Sequence, residues 1–298
     1  MGRTLIVPSA SSPVREWLRE NRDGRDLILL DPLDTVFGPA ARIAMIHGDK
    51  TIKWRFLGSL DAQRLPHTLI ASLGSWLYGL DDVVIVLPPY RPTPVLRQTF
   101  LHCAQMIQPD EIWVTPGEAE TIRGWPIGPS VLENHPQLPI IVSTAQRKAR
   151  WLKLFEEATT QTITIEDVSL EGSRIGSGVK VDDLPEGILY AESCGATLFV
   201  ICDQEPEDAP VARMMSIAQA ERLVIAQPKA YENLLCSFAR QNGEDFAIGV
   251  IESIDFSAGT VQVMCTAVPP APVRILRLGS LRVDKNGNEL PEIPAWSI

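Results

Sequence analysis

TLIVPSASSPVREWLRE, residues 4–20, is a strand, a loop and a helix in miniature. Thr4 to Val7 form a short apolar strand, and Pro8 to Ser12 a turn-rich loop. Val14, Trp17 and Leu18 then recur at helical spacing, opposite Glu16, Arg19 and Glu20. Such a unit is where a phosphate-binding loop of the form G-x-x-x-x-G-K-[ST] sits. Laid on Pro8 to Arg15, that frame puts Pro8 and Pro13 at the glycines, Val14 at the lysine and Arg15 at the hydroxyl residue. Ser9, Ser11 and Ser12 lie inside the frame. All four signature positions are replaced.

A phosphate cradle turns several backbone N–H groups inward on dihedrals that glycine permits. Proline has no N–H and a fixed φ. Val14 supplies no cation, and Arg15 no hydroxyl for magnesium. The same residues suit a plain helix start, with Ser12 as N-cap and Pro13 as first helical residue.

With 298 residues the chain can build two cores. Its hydrophobic share of 45% and charged share of 21% are those of an ordinary globular protein, which sets aside disordered and fibrous classes. No apolar run is long enough to span a membrane, and the apolar core of MGRTLIVPSA is too short for a signal peptide. A cytoplasmic protein without membrane partners is therefore expected. The five cysteines (Cys103, Cys194, Cys202, Cys236, Cys265) are odd in number and form no C-x-x-C pair. Reduced, mostly buried thiols are expected rather than disulfides or a metal site.

The net charge of −10 is unevenly placed. Residues 1–158 carry 17 basic and 17 acidic side chains, whereas residues 159–298 carry 10 and 20. An acidic second half is a poor platform for RNA, whose phosphates demand a basic surface. RNA binding is expected to be weak.

The first half alternates strand and helix. LILL (27–30) ends in Asp31-Pro32, and 43–47 and 51–57 read as a hairpin. Residues 66–78 and 93–107 are amphipathic helices around the continuous strand VVIVL (83–87). EIWVT (111–115) and PIIV (139–142) read as strands, and 144–158 as a helix. This predicts an α/β domain over 1–158, doubly wound and mostly parallel. From 159 to 298 short apolar runs with glycine and proline punctuation predict a smaller β-rich domain, with one helix-like stretch at 229–239. The runs within 246–284 carry enough apolar surface to require a packed core. GSRIGSGVK (172–180) lacks a terminal G-K-[ST] and reads as a flexible connection.

No G-x-S-x-G and no H-E-x-x-H is present, and the four histidines are dispersed. Asp31 and Asp34 follow a core strand, where α/β enzymes place base or magnesium carboxylates; a turn opened by Asp-Pro explains them as well. Arg147 and Arg150, spaced i, i+3, suit either a phosphate clamp or a solvated helix face.

The order of these segments resembles the RNA 5′-hydroxyl polynucleotide kinase family, the P-loop kinases of tRNA, mRNA and rRNA processing. In that family a phosphate loop is followed by an acidic D-x-D-x-G-Q segment. A G-S-T-S-P-like block, a T-x-G-W motif, an arginine-bearing lid and a small C-terminal domain come after it. DPLDTVFGP (31–39) keeps Asp31 but not Gly-Gln. RFLGSLDAQRLP (55–66) resembles the next block. VLPPY (86–90) puts Leu87, Pro89 and Tyr90 where threonine, glycine and tryptophan would be. STAQRKARWLKLF (143–155) resembles the lid, with Arg147 and Arg150 as its phosphate contacts. Residues 233–284 follow the family's closing pattern.

The resemblance implies a P-loop-NTPase-like fold. The replaced frame implies a pseudoenzyme with a degenerate Walker A loop, since phosphoryl transfer rests on that loop, its lysine and magnesium. The chain then reads as a binding or scaffold protein in RNA processing, with a protein partner and no cofactor. Two alternatives stay open: an active kinase remodelled around Asp31, Asp34, Arg147 and Arg150, or a sensor that binds ATP or GTP with magnesium.

Overall fold

A computed structural model describes residues 2–9, 14–132, 140–172, 174–204, 207–266 and 273–293, with only the backbone at 15 and 16. It divides into two compact units of nearly equal length, Met1–Arg150 and Trp151–Ile298.

In the first unit the elements are β1 (Arg3–Val7), α1 (Arg15–Asn21), β2 (Asp26–Leu29), β3 (Arg42–His47), β4 (Lys50–Phe56) and α2 (Pro66–Leu77). β5 (Val83–Val86), α3 (Pro94–Ile107), β6 (Glu111–Val114), β7 (Ser130–Val131) and α4 (Ile140–Glu156) follow; α4 runs on into the second unit. The sheet order is β4-β3-β2-β5-β1-β6-β7. The five strands from β2 to β7 in that order are parallel, and the β3–β4 hairpin adds an antiparallel edge.

β1 lies in the middle because it is apolar on both faces. Leu5 and Val7 point into a core completed by Leu73 of α2 and Phe100 of α3. Ile6 points into the opposite core, with Val14 and with Leu18 of α1. Helices thus cover both faces of a mixed, mostly parallel sheet.

Two local expectations are corrected here. α1 begins at Arg15, with Val14 in the N-cap position and no side-chain cap, so the helix starts later than a Ser12 cap would place it. Ile140 to Val142 are the first turn of α4, not a strand; residue 139 of that run lies outside the described residues.

α3 is capped as its sequence suggests. Thr93 Oγ1 accepts a hydrogen bond from the Leu96 N–H at 3.3 Å, and Pro94 takes the first helical position. Thr93→Ala should cost about 1 kcal/mol in urea unfolding. An unchanged midpoint would mean that the cap contributes nothing.

The second unit contains β8 (Ala158–Thr164), β9 (Ser169–Glu171), β10 (Val179–Lys180), β11 (Ile188–Cys194), β12 (Thr197–Cys202) and α5 (Asp208–Ile217). After these come β13 (Arg222–Ala226), β14 (Leu234–Ala239), β15 (Asp245–Asp255), β16 (Thr260–Thr266), β17 (Ile275–Val283) and β18 (Glu289–Leu290). One sheet is ordered β10-β11-β12-β13. The other is β18-β17-β14-β15-β16-β8, with β9 beside β17. Phe199 and Ile201 of the first sheet share a core with Phe238, Ile251, Val263 and Leu276 of the second.

The helix-like stretch 229–239 is a short 3-10 turn (Pro228–Tyr231) followed by strand β14. β14 is buried along its whole length, between β15 and β17, so its apolar residues show no alternation.

Two polar knots hold this unit. The Arg277 guanidinium donates to Asp245 Oδ1 at 2.6 Å, to Glu171 Oε2 at 2.7 Å and to the Gly243 carbonyl at 3.1 Å. Ser237 Oγ also donates to Asp245 Oδ1, at 2.7 Å. The second knot is Glu192, only 3% exposed. Its carboxylate accepts from the Gly176 N–H at 2.8 Å, the Gly178 N–H at 3.1 Å and the Tyr190 hydroxyl.

The 172–180 stretch is therefore tied down and is not a flexible connection; its Ser173 lies outside the described residues. Gly172 has φ +87° and a Cβ there would meet the Leu278 carbonyl oxygen at 2.2 Å, so glycine is required.

Candidate functional site

The carboxyl ends of β1, β2 and β5 open into a cleft of about 80 Å³. This is the edge of a parallel sheet at which α/β folds bind ligands. Pro8 and Ser9 leave β1, Val14 and Leu18 belong to the approach and body of α1, and Asp31, Leu33 and Asp34 follow β2. Val86 and Pro89 come from β5 and its loop. Ile140, Ser143 and Gln146 line the cleft from α4.

Several polar groups here have local tasks. The Ser9 N–H, inside the phosphate-loop frame, donates to Thr115 Oγ1 at 2.5 Å. The Pro8 carbonyl accepts from the Tyr90 N–H at 2.9 Å. Asp31 Oδ1 accepts from the Leu33 N–H at 2.9 Å, and Asp34 Oδ2 from the Val36 N–H at 2.9 Å. Both carboxylates thus close turns of their own loop, while still lining the cleft. Ser9 Oγ is buried and has no hydrogen-bond partner among the described residues.

The arginines brace the acidic loop. Arg150 Nε donates to the Thr35 carbonyl at 2.8 Å and its Nη2 to the Val36 carbonyl at 3.2 Å. Arg42 donates to the Phe37 carbonyl and lies 5.5 Å from the Trp54 ring centroid. Burial pulls the Arg42 pKa down to about 10; Asp34 opposes that shift and Arg150 adds to it. Arg147 is buried at 9% exposure and donates to Ser143 Oγ and Thr144 Oγ1 of its own helix. Arg147 is thus buried and Arg150 partly so, and neither is among the described residues lining the cleft. No lysine or arginine is among them.

Of the frame residues, Pro8, Ser9 and Val14 line the cleft. Ser11, Ser12, Pro13 and the Arg15 side chain lie outside the described residues. Tyr90 is buried against Phe100 at a centroid distance of 5.6 Å. The α4 contribution was missed in the sequence, although Ile140, Ser143 and Gln146 share one helix face at i, i+3 and i+6.

Among the described residues no group of three or more His, Cys, Asp or Glu could hold a metal ion. Four cysteines are buried and Cys194 is exposed; all five are free thiols. Burial pushes the Cys103 thiol up to about 12 and that of Cys265 to about 11. No helix among the described residues is long and apolar enough to cross a membrane.

No family profile matches the chain. The polyribonucleotide 5′-hydroxyl-kinase MJ1315 of Methanocaldococcus jannaschii is 23% identical over 156 residues, which is 48% of this chain and 41% of that protein. The polyribonucleotide 5′-hydroxyl-kinase PF0112 of Pyrococcus furiosus is 23% identical over 153 residues, 48% of this chain and 42% of that one. The chain is a distant homologue of these kinases over about half its length. The match spans less than half the length of each.

The fold likeness reaches further. A structure described as the extended interface between Pcf11p and Clp1p, with the basis for ATP loss in a Gly135Arg point mutant, matches at TM-score 0.55 and 11% identity. It covers 94% of this chain and 75% of its own. A structure of the wild-type Clp1p–Pcf11p complex matches at TM-score 0.55 and 10% identity, over 94% and 74%. The architecture is Clp1-like.

Proposed function

We propose that this chain is a catalytically degenerate relative of the RNA 5′-hydroxyl polynucleotide kinases that serves as a binding or scaffold protein in RNA processing. The observation that carries the reading is the lining of the strand-end cleft. Where a kinase needs a cradle of N–H groups and a lysine, the described lining is largely apolar, with Pro8, Val14, Leu18, Leu29, Val86 and Pro89 among it, and its charged members are the acids Asp31 and Asp34, with no cation. One N–H of the loop frame is already given to Thr115. As a seat for ATP or GTP phosphates with magnesium these residues do not fit, so no transfer step is assigned to them.

Calorimetric titration with Mg-ATP and Mg-GTP tests this. No binding tighter than about millimolar is expected, because the sequence of the frame offers no glycine cradle and no lysine, and no cation is among the described lining residues. A 5′-hydroxyl RNA oligonucleotide should likewise acquire no phosphate above the no-protein control. Micromolar binding that Asp31→Ala abolishes would instead establish the second reading, a nucleotide sensor or remodelled kinase. Asp31 and Asp34 favour that reading, since both line the cleft.

A scaffold needs a partner. The two Clp1p structures include Pcf11p, and a protein partner is proposed here by that analogy. RNA contacts, if made, are weak and steeply salt-dependent, because residues 159–298 carry 20 acidic and 10 basic side chains.

A further inference from the structure

Among the described residues β13 is the edge of its sheet and pairs with β12 alone, in parallel. The Arg222 N–H donates across to the Ala196 carbonyl at 2.9 Å. Alternation along a strand then turns the N–H and C=O groups of Leu223 and Ile225 away from β12. No backbone partner for them is found among the described residues. Natural proteins blunt such edges with charge, proline or a covering element. Of the two residues whose backbone faces outward, Leu223 is partly buried against the core around Met214, and Ile225 is 41% exposed.

Beside this edge lies an open groove of about 490 Å³. Ile225, Ala226, Ala230 and Ile293 give it an apolar floor, and Lys229 and Arg282 give it two cations. No carboxylate is among its described lining residues, although the surrounding half of the chain holds twice as many acidic as basic residues. The charge of the groove is therefore opposite to that of its surroundings, and it flanks backbone that no described residue pairs.

We infer that the β13 edge, with the Lys229–Arg282 groove, is a docking surface for an extended peptide segment of a protein partner that alternates carboxylate and apolar side chains. The segment adds as a strand along Leu223 and Ile225. Main-chain hydrogen bonds supply its affinity, and the two cations with the apolar floor select its side chains. The surface rests on the scaffold reading for its purpose, but it is tested separately from the cleft.

The test uses the full chain and two labelled probes, acetyl-EVEVEIE-amide and acetyl-KVKVKIK-amide, followed by fluorescence anisotropy and amide hydrogen exchange. The acidic probe should bind saturably, slow exchange at Leu223 and Ile225, and bind at least about tenfold tighter than the basic one. Ile225→Pro removes an outward N–H while leaving the β12 ladder in place, and should weaken binding about tenfold or more. Lys229→Glu, at an exposed position, should do the same, with unchanged thermal melting showing that the fold is kept.

Failure of the acidic probe to bind or to protect these amides would overturn the proposal, as would equal binding of both probes or indifference to both variants. Concentration-dependent dimerisation abolished by Ile225→Pro would overturn it in favour of a second copy of this chain. Competition by single-stranded RNA for the same amides would overturn it in favour of nucleic acid. Nucleotide binding at the cleft would sink the degenerate-kinase reading and leave these outcomes unchanged.

Discussion

Arg277→Met should lower the stability of the second unit by about 3–5 kcal/mol, the usual cost of removing one partner from a buried ion pair. The Asp245 side chain has no solvent exposure, and Arg277 is its cation at 2.6 Å. Burial by itself would favour the neutral form of Arg277. The attraction of Asp245 and Glu171 outweighs it and raises the pKa, so the pair is held charged. The same arginine ties β9 to β17 through Glu171 and reaches the Gly243 carbonyl, so its loss removes the side-chain ties among β9, β15 and β17 and leaves only their backbone pairing within the sheet. Urea unfolding followed by far-UV circular dichroism measures the cost. Arg277→Met combined with Asp245→Leu should recover most of it, because the stranded carboxylate is then gone. A single-variant loss below about 1 kcal/mol would show that the knot is incidental.

Glu192→Ala should be nearly as damaging, at about 2–4 kcal/mol, and should leave a more specific trace. It strips the Gly176 and Gly178 N–H groups and the Tyr190 hydroxyl of their acceptor, and bonds to a charged group contribute about 1.5–3 kcal/mol each. The wild-type 172–180 stretch should resist limited proteolysis, and the variant should be cut there first. Equal cutting of both proteins would mean that the carboxylate does not hold the loop.

Both knots show why part of the fold was legible in the sequence and part was not. β1, the β3–β4 hairpin, α2, α3 and β5 announce themselves through local periodicity, which needs no knowledge of distant residues. Residues 140–142 were read as a strand because three or four apolar residues fit either structure. In the fold Ile140 and Ile141 are 84% and 77% exposed, and helical hydrogen bonding sets their conformation. β14 was read as part of a helix because it is buried on both faces. α5 is hard to see in the sequence because its buried residues, Val211 and Met214, make a single i, i+3 step rather than a sustained helical stripe.

The cleft was legible in place and less so in content. Its walls follow strand ends, which the sequence marks. The work of Arg150 was hidden, because its partners Thr35 and Val36 lie more than a hundred positions earlier. GSRIGSGVK reads in the sequence as a flexible connection without the G-K-[ST] of a phosphate loop, yet its N–H groups hold a carboxylate. The anion it receives, Glu192, is supplied by the chain itself from 14 and 16 positions away.

The central place of β1 also has a meaning for synthesis. Its neighbours on either side, Val83–Val86 and Glu111–Val114, are made long after it. At roughly 5–20 residues per second, about 5–20 s pass between translation of Arg3–Val7 and of its second neighbour. For most of that interval, until Val83–Val86 is made, this early apolar strand has no partner in its own sheet. The vulnerable period of this protein therefore falls on the ribosome, where translation speed and whatever shelters the emerging strand decide how much of it matures.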